Sequence, residues 1–171
     1  MDNFICNNDY SFDDNNFRKI FDFFVIKTPV EGVSYKGISF KKRNFKNANE
    51  VLNKMKKQFL NLFLCFENIE EGEDIEEKLK MNGFTNSRMI PFEFSIFKLH
   101  DKLNITNSFF YYIRCALAHG SFCIHEYENI KYYYFENTHK EKWKHKPTLN
   151  ARMIIKEETL LGIIELCNSK M

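Results

Sequence analysis

The sequence predicts a mainly α protein: a helical bundle with a small β-hairpin and sheet appendage near its C-terminal end. Three observations predict it. Six Gly and three Pro in 171 residues are too few for a scaffold built on many tight turns. Phe45, Ala48, Leu52, Met55, Phe59, Leu62 and Phe66 recur at steps of three and four, the spacing of one buried helix face. The clearest strand-like patterning, rich in Tyr and Phe, lies beyond Gly120.

Taken in order, the first helix is expected over residues 14–26, capped by Asp13 or Asp14 and stopped by Pro29, with Phe17, Ile20, Phe21, Phe24 and Val25 on one face. Residues 32–43 read as loop or a short hairpin. The long stripe makes a second helix over 45–69, with Glu50, Lys54, Lys57 and Asn61 off the stripe. A short acidic helix fits 74–82, closed by Gly83. Pro91 stands where another helix begins, continued by Phe92, Ile96, Leu99 and Leu103. Thr106 or Asn107 caps the next, which runs to Ala118 and stops at Gly120. Strands at 122–127 and 131–136 flank Glu128-Asn129 as a hairpin. A third short strand, 151–155, precedes a last helix over 156–168.

The length suits a single domain over residues 1–171, large enough for one core. Lys plus Arg (25) nearly balances Asp plus Glu (23), which excludes a blanket polycation but leaves room for a local basic patch. Hydrophobic residues at 44%, with 19 Phe, exclude a disordered chain. The cysteines, Cys6, Cys65, Cys115, Cys123 and Cys167, form no Cys-x-x-Cys pair and are expected as reduced thiols. No apolar leader follows Met1, and the longest apolar run, 62–66, is too short to span a bilayer. A cytoplasmic protein with no membrane contact is the expectation.

The chemistry-bearing segment is Ile113-Arg114-Cys115-Ala116-Leu117-Ala118-His119-Gly120-Ser121-Phe122. At about 100° per residue, Phe109, Phe110, Ile113, Ala116 and Leu117 form the core face of its helix. Arg114 and His119 then lie about 140° apart, on either side of a stripe of Tyr111, Cys115 and Ala118. Small residues in that stripe let another helix approach closely, so it is the expected two-fold dimer face. Alone, a His in the last turn complements the helix dipole by about 0.3–1 kcal/mol, and a Gly after it is a cap.

This segment resembles the signature of the HEPN superfamily, an Arg followed by four to six residues and His at a helix end, commonly Arg-Asn-x-x-Ala-His-Gly. Arg114, Ala118, His119 and Gly120 match it. The likeness continues through the aromatic hairpin (Tyr132 to Glu136) and the Lys156 to Leu161 stretch, so it covers 107–167 and is weak before that. It implies a metal-independent endoribonuclease. The ribose 2′-OH attacks the adjacent phosphate and leaves a 2′,3′-cyclic phosphate. His119 moves protons near neutral pH, and Arg114 offers a fork of donors to the developing phosphorane. A homodimer would bring two Arg114 and two His119 into one cleft. No cofactor and no metal are implied, since the 2′-OH supplies the nucleophile. The implied setting is bacterial defence, as in abortive infection or toxin–antitoxin pairs, with an antitoxin or operon partner.

Two departures stand beside the match. Cys115 occupies the position usually held by Asn, Asp or His, and a thiol is a weak hydrogen bonder. Ser121 stands where toxins paired with nucleotidyltransferase antitoxins carry the modified Tyr. For RNA docking, Lys140, Lys142, Trp143, Lys144 and Lys146 combine cations for phosphates with an indole for a base. Lys41, Lys42, Arg43 and Lys46 form a second basic cluster. The rivals are a non-catalytic HEPN module that binds RNA, a nucleotide or a partner protein, and a helical interaction protein whose motif is spent on ordinary capping.

Overall fold

The computed structural model describes residues 11–70, 73–84, 92–139 and 147–169. Its architecture corrects the helical-bundle expectation. The molecule is α/β, built on a five-stranded mixed sheet in the order β1-β2-β5-β4-β3. The strands are β1 (Phe66–Ile69), β2 (Phe94–Lys98), β3 (Phe122–Tyr127), β4 (Ile130–His139) and β5 (Thr148–Lys156). The helices are α1 (Asn15–Phe21), α2 (Ala48–Gln58), α3 (Leu60–Phe63), α4 (Ile75–Met81), α5 (Ile105–His119) and α6 (Glu157–Asn168). A π-helical turn, Asp22–Ile26, extends α1.

Two segments expected as helix are strands. In β2, Phe94, Ser95, Ile96 and Phe97 are all buried because both faces of the sheet are covered. Such a short apolar run carries no period that separates a buried strand from a helix. Phe94 and Ile96 join the core on one face and Phe97 the core on the other, the alternation of a strand. Pro91, the expected start of that helix, lies outside the described residues. The stripe over 45–69 likewise breaks. Asn47 caps α2 by accepting from the Glu50 N–H, while the Glu50 carboxylate accepts from the Lys46 N–H. Phe59 leaves helical geometry at φ −116° and ψ 59°. Its ring lies against Gly162 of α6, where an added Cβ would sit 2.7 Å from the ring. After α3 the chain enters β1, parallel to β2.

The larger core fills the face covered by α1, α5 and α6, around Phe17, Phe24, Phe110, Tyr133, Phe135 and Ile155. The smaller core lies on the other face, where Ile75 and Leu79 of α4 meet Ile96, Tyr132, Tyr134 and Ile154. Tyr132, Tyr133 and Tyr134 are therefore packing residues. The β3–β4 hairpin turns at Glu128 (φ 51°) and Asn129 (φ 64°), the positive φ pair that matches strand twist. Residues 32–43 form turns without a strand.

Cys65, Cys115 and Cys167 are free thiols and Cys123 is disulfide-bonded, which departs from the all-reduced expectation. Burial pushes Cys65 up to about 11 and Cys167 up to about 12, so neither is a nucleophile near neutral pH. Among the described residues no helix is long and apolar enough to cross a membrane.

Candidate functional site

The motif helix is fixed from both ends. Asn104, rather than Thr106 or Asn107, caps α5 by accepting from the Asn107 N–H. The Thr106 hydroxyl donates instead to the Ala48 carbonyl and ties α5 to α2. At the other end Gly120 adopts φ 68° and ψ 19°, and the Gly120 and Ser121 N–H groups both donate to the Ala116 carbonyl. This left-handed cap stops the helix directly after His119 and turns the chain into β3. The expected core face is buried throughout: Phe109, Phe110, Ile113, Ala116 and Leu117 are at most 3% exposed.

His119 is exposed and lines a polar cleft of about 570 Å3. One wall is the Tyr111, Cys115 and His119 side of α5, and another is the 98–101 stretch that leaves β2. The rest of the lining is Asn137, Thr138 and His139 of β4 with Asn150 of β5. Asn150 is there because of a bulge: Asn137 pairs with Ala151 but Thr138 with Leu149, so Asn150 is the extra residue. The Asn137 amide donates to the Tyr112 carbonyl at 2.8 Å and pins this wall to the helix.

Arg114 is half-buried and is not part of this lining, although it shares a helix with His119. Its Nε is buried and has no hydrogen-bond partner among the described residues. One chain therefore does not bring the two motif side chains into one cleft. Of the stripe expected to face a second chain, Ala118 is exposed, Tyr111 is half-buried and Cys115 is buried. Tyr111 and Cys115 belong to the cleft wall, so a chain docking there would close over the cleft mouth.

Burial raises the Tyr111 phenol, and its hydrogen bond with the Cys115 thiol raises it further. Burial pushes Tyr112 up to about 12. Neither phenol ionises near neutral pH. The His100 ring meets Tyr111 edge-on at 4.7 Å between centroids, and its Nδ1 accepts from the Lys102 N–H at 3.3 Å. Among the described residues no three His, Cys, Asp or Glu side chains converge as metal ligands.

The sequence reading missed His100, His139, Asn137 and Asn150. For β4 the signal was present: the Tyr133 and Phe135 alternation, carried two steps past the expected end at residue 136, reaches Asn137 and His139. Asn150 had none, because a bulge is not written in a local pattern. Lys140, Lys142, Trp143, Lys144 and Lys146 lie outside the described residues. In the second basic cluster Lys41, Lys42 and Lys46 are exposed, but Arg43 is 1% exposed and belongs to the interior.

The chain matches no family model, and no curated protein or solved structure matches it.

Proposed function

We propose that this protein is a metal-independent endoribonuclease that cleaves RNA by 2′-OH attack, leaving 2′,3′-cyclic phosphate and 5′-hydroxyl ends. The observation that carries the reading is the state of the motif. His119 is exposed on a polar cleft rather than spent on packing, and Arg114 holds a buried Nε with nothing bound to it. An unpaired buried donor costs about 1–3 kcal/mol, a cost that a phosphate oxygen would offset. The reading does not rest on a helical-bundle fold; it rests on Arg114, Ala118, His119, Gly120 and their surroundings.

In this account an imidazole takes the 2′-OH proton, the 2′-oxygen bonds to phosphorus, and the 5′-oxygen leaves with a proton from an imidazolium. The guanidinium neutralises the phosphorane oxygens. Because Arg114 does not line the cleft of its own chain, a two-fold homodimer completes the site by bringing the partner's Arg114 to this chain's His119. Lysines of the 140–146 stretch are proposed to hold the RNA backbone. The proposed setting is bacterial defence, with the activity held in check by an operon partner.

A second reading, a non-catalytic module that binds RNA or a partner protein, is favoured by Cys115. Its thiol is buried and engaged with Tyr111, so it does not replace the polar residue that would orient the site. One experiment separates the two. Purified protein is incubated with mixed RNA in EDTA beside Arg114→Ala and His119→Ala. Cleavage by the wild type alone, with cyclic phosphate ends, supports the nuclease. A folded dimer that binds RNA without cutting supports the binding module. Cleavage that persists in both variants overturns the site assignment.

A further inference from the structure

Transfer of two protons needs two groups, and the motif supplies one imidazole per chain. The cleft supplies more. His119 from the end of α5 and His139 from the end of β4 line it together, and both are exposed. Among the described residues neither ring has a hydrogen-bond partner, so the nitrogens of both are open to a substrate. Three features place His139 there. It lies on the same strand face as Tyr133, Phe135 and Asn137, its strand is pinned to α5 through the Asn137 amide, and the bulge at Asn150 shapes the wall beside it.

The third imidazole is built differently. The Nδ1 of His100 is occupied by the Lys102 N–H, which leaves Nε2 carrying the hydrogen. That ring presents a donor, not a base. The imidazoles also do not converge as metal ligands. An in-line displacement places the attacking and leaving oxygens on opposite sides of phosphorus, so it needs two proton-transfer groups in one cleft.

We propose that His139 is the second proton-transfer residue, acting on the same phosphate as His119 of the same chain. The inference rests on the endoribonuclease reading. One neutral imidazole of the pair accepts the 2′-hydroxyl proton as the 2′-oxygen–phosphorus bond forms. The other, as imidazolium, protonates the departing 5′-oxygen as the phosphorus–oxygen bond breaks. No further reactant is consumed. A second chain is then needed for the guanidinium, not for an imidazole.

The test is the pH–rate profile of RNA cleavage for wild type, His139→Ala and His100→Ala, followed by mixing of variant chains. The other titratable groups lining the cleft are Lys98, His100, Asp101, Tyr111, Tyr112 and Cys115, and all are retained in His139→Ala. Wild type is expected to show a bell-shaped profile. His139→Ala is expected to lose about 10²-fold or more in rate and one limb of the bell. His100→Ala is expected to keep both limbs. Co-purified His119→Ala and His139→Ala chains are expected to stay inactive, since neither chain then holds both imidazoles. A His139→Ala rate within threefold of wild type overturns the proposal, as does activity restored by mixing those two variants. His139 is exposed, and an unchanged thermal melt shows that the variant folds. If wild type does not cleave RNA at all, the parent reading fails; if wild type cleaves and His139→Ala cleaves equally, only this inference fails.

Discussion

Two arginines of this chain live in opposite circumstances. Arg43 is 1% exposed, and its guanidinium is fully employed. Its Nε donates to the Ile38 carbonyl, one Nη to the Lys27 carbonyl and the other to the Asn168 side chain, while the Phe23 ring lies 4.9 Å from its centre. It fastens the strandless 27–45 region to the end of α6. Burial pushes its pKa down, and the hydrogen bonds offset the cost of holding a cation inside. Arg114 is half-buried on the motif helix, and its Nε donates to nothing. Arg43 has each guanidinium nitrogen bonded within the fold, whereas Arg114 keeps a buried Nε with no partner among the described residues. Residue type alone did not separate the two, and the sequence pattern placed Arg43 in a surface cluster.

Breaking this comparison starts on the functional side. His119→Ala is expected to lower RNA cleavage about 10²–10⁴-fold, the usual worth of a proton-transfer group, and gel assays of end-labelled RNA read it directly. Next in size is the structural side. Arg43→Ala leaves the Ile38 and Lys27 carbonyls and the Asn168 side chain without that partner and opens a void, a loss of about 3–5 kcal/mol, measured by urea unfolding. A loss below about 1 kcal/mol would show that the 27–45 region is held by other contacts.

Smaller changes sharpen the contrast. Gly120→Ala meets no atom within 4 Å, so its expected cost of about 1 kcal/mol is the left-handed backbone alone. A cost several times larger would mean that the helix end moves and carries His119 with it. Smallest is the ion pair of Asp14 and Lys131 at 2.7 Å, which closes the α1 cap onto the hairpin. The hydrogen bond to Lys131 lowers the Asp14 carboxyl, and Asp14 raises the Lys131 amine. The stabilisation from Asp14 is thus complete above its unfolded value near 3.8 and is lost as pH falls through the lower folded value. The stabilisation from Lys131 is complete below its unfolded value near 10.5 and is lost as pH rises through the higher folded value. Both side chains are about one-third exposed, so Lys131→Met should cost well under 1 kcal/mol at neutral pH. Unfolding followed from pH 2 to 7 should show a shallower acid limb for that variant.

Much of the chain was legible in order and little of it in architecture. The Asp14 cap, the acidic α4, the Gly120 stop, the hairpin at Glu128-Asn129 and α6 follow from local chemistry, and local chemistry is what a sequence displays. β1 and β2 were not legible because their form is imposed from outside. Four buried residues at 94–97, three of them apolar, acquire strand geometry from β5 alongside and cores on both faces. Once those strands are misread as helix, a sheet looks like a hairpin attached to a bundle. The same holds at the site. Arg114 and His119 were visible as a motif, whereas His139 joins His119 only through sheet pairing and the Asn137 contact.

Arg43 is held for the fold, and Arg114 is proposed to be held for a ligand. The most direct test of that contrast is to measure unfolding free energy and RNA cleavage together for Arg114→Ala and wild type. The account predicts stability within about 1 kcal/mol of wild type and cleavage reduced about 10²–10³-fold. Arg114→Ala that unfolds several kcal/mol more easily, with cleavage per folded molecule unchanged, would contradict it.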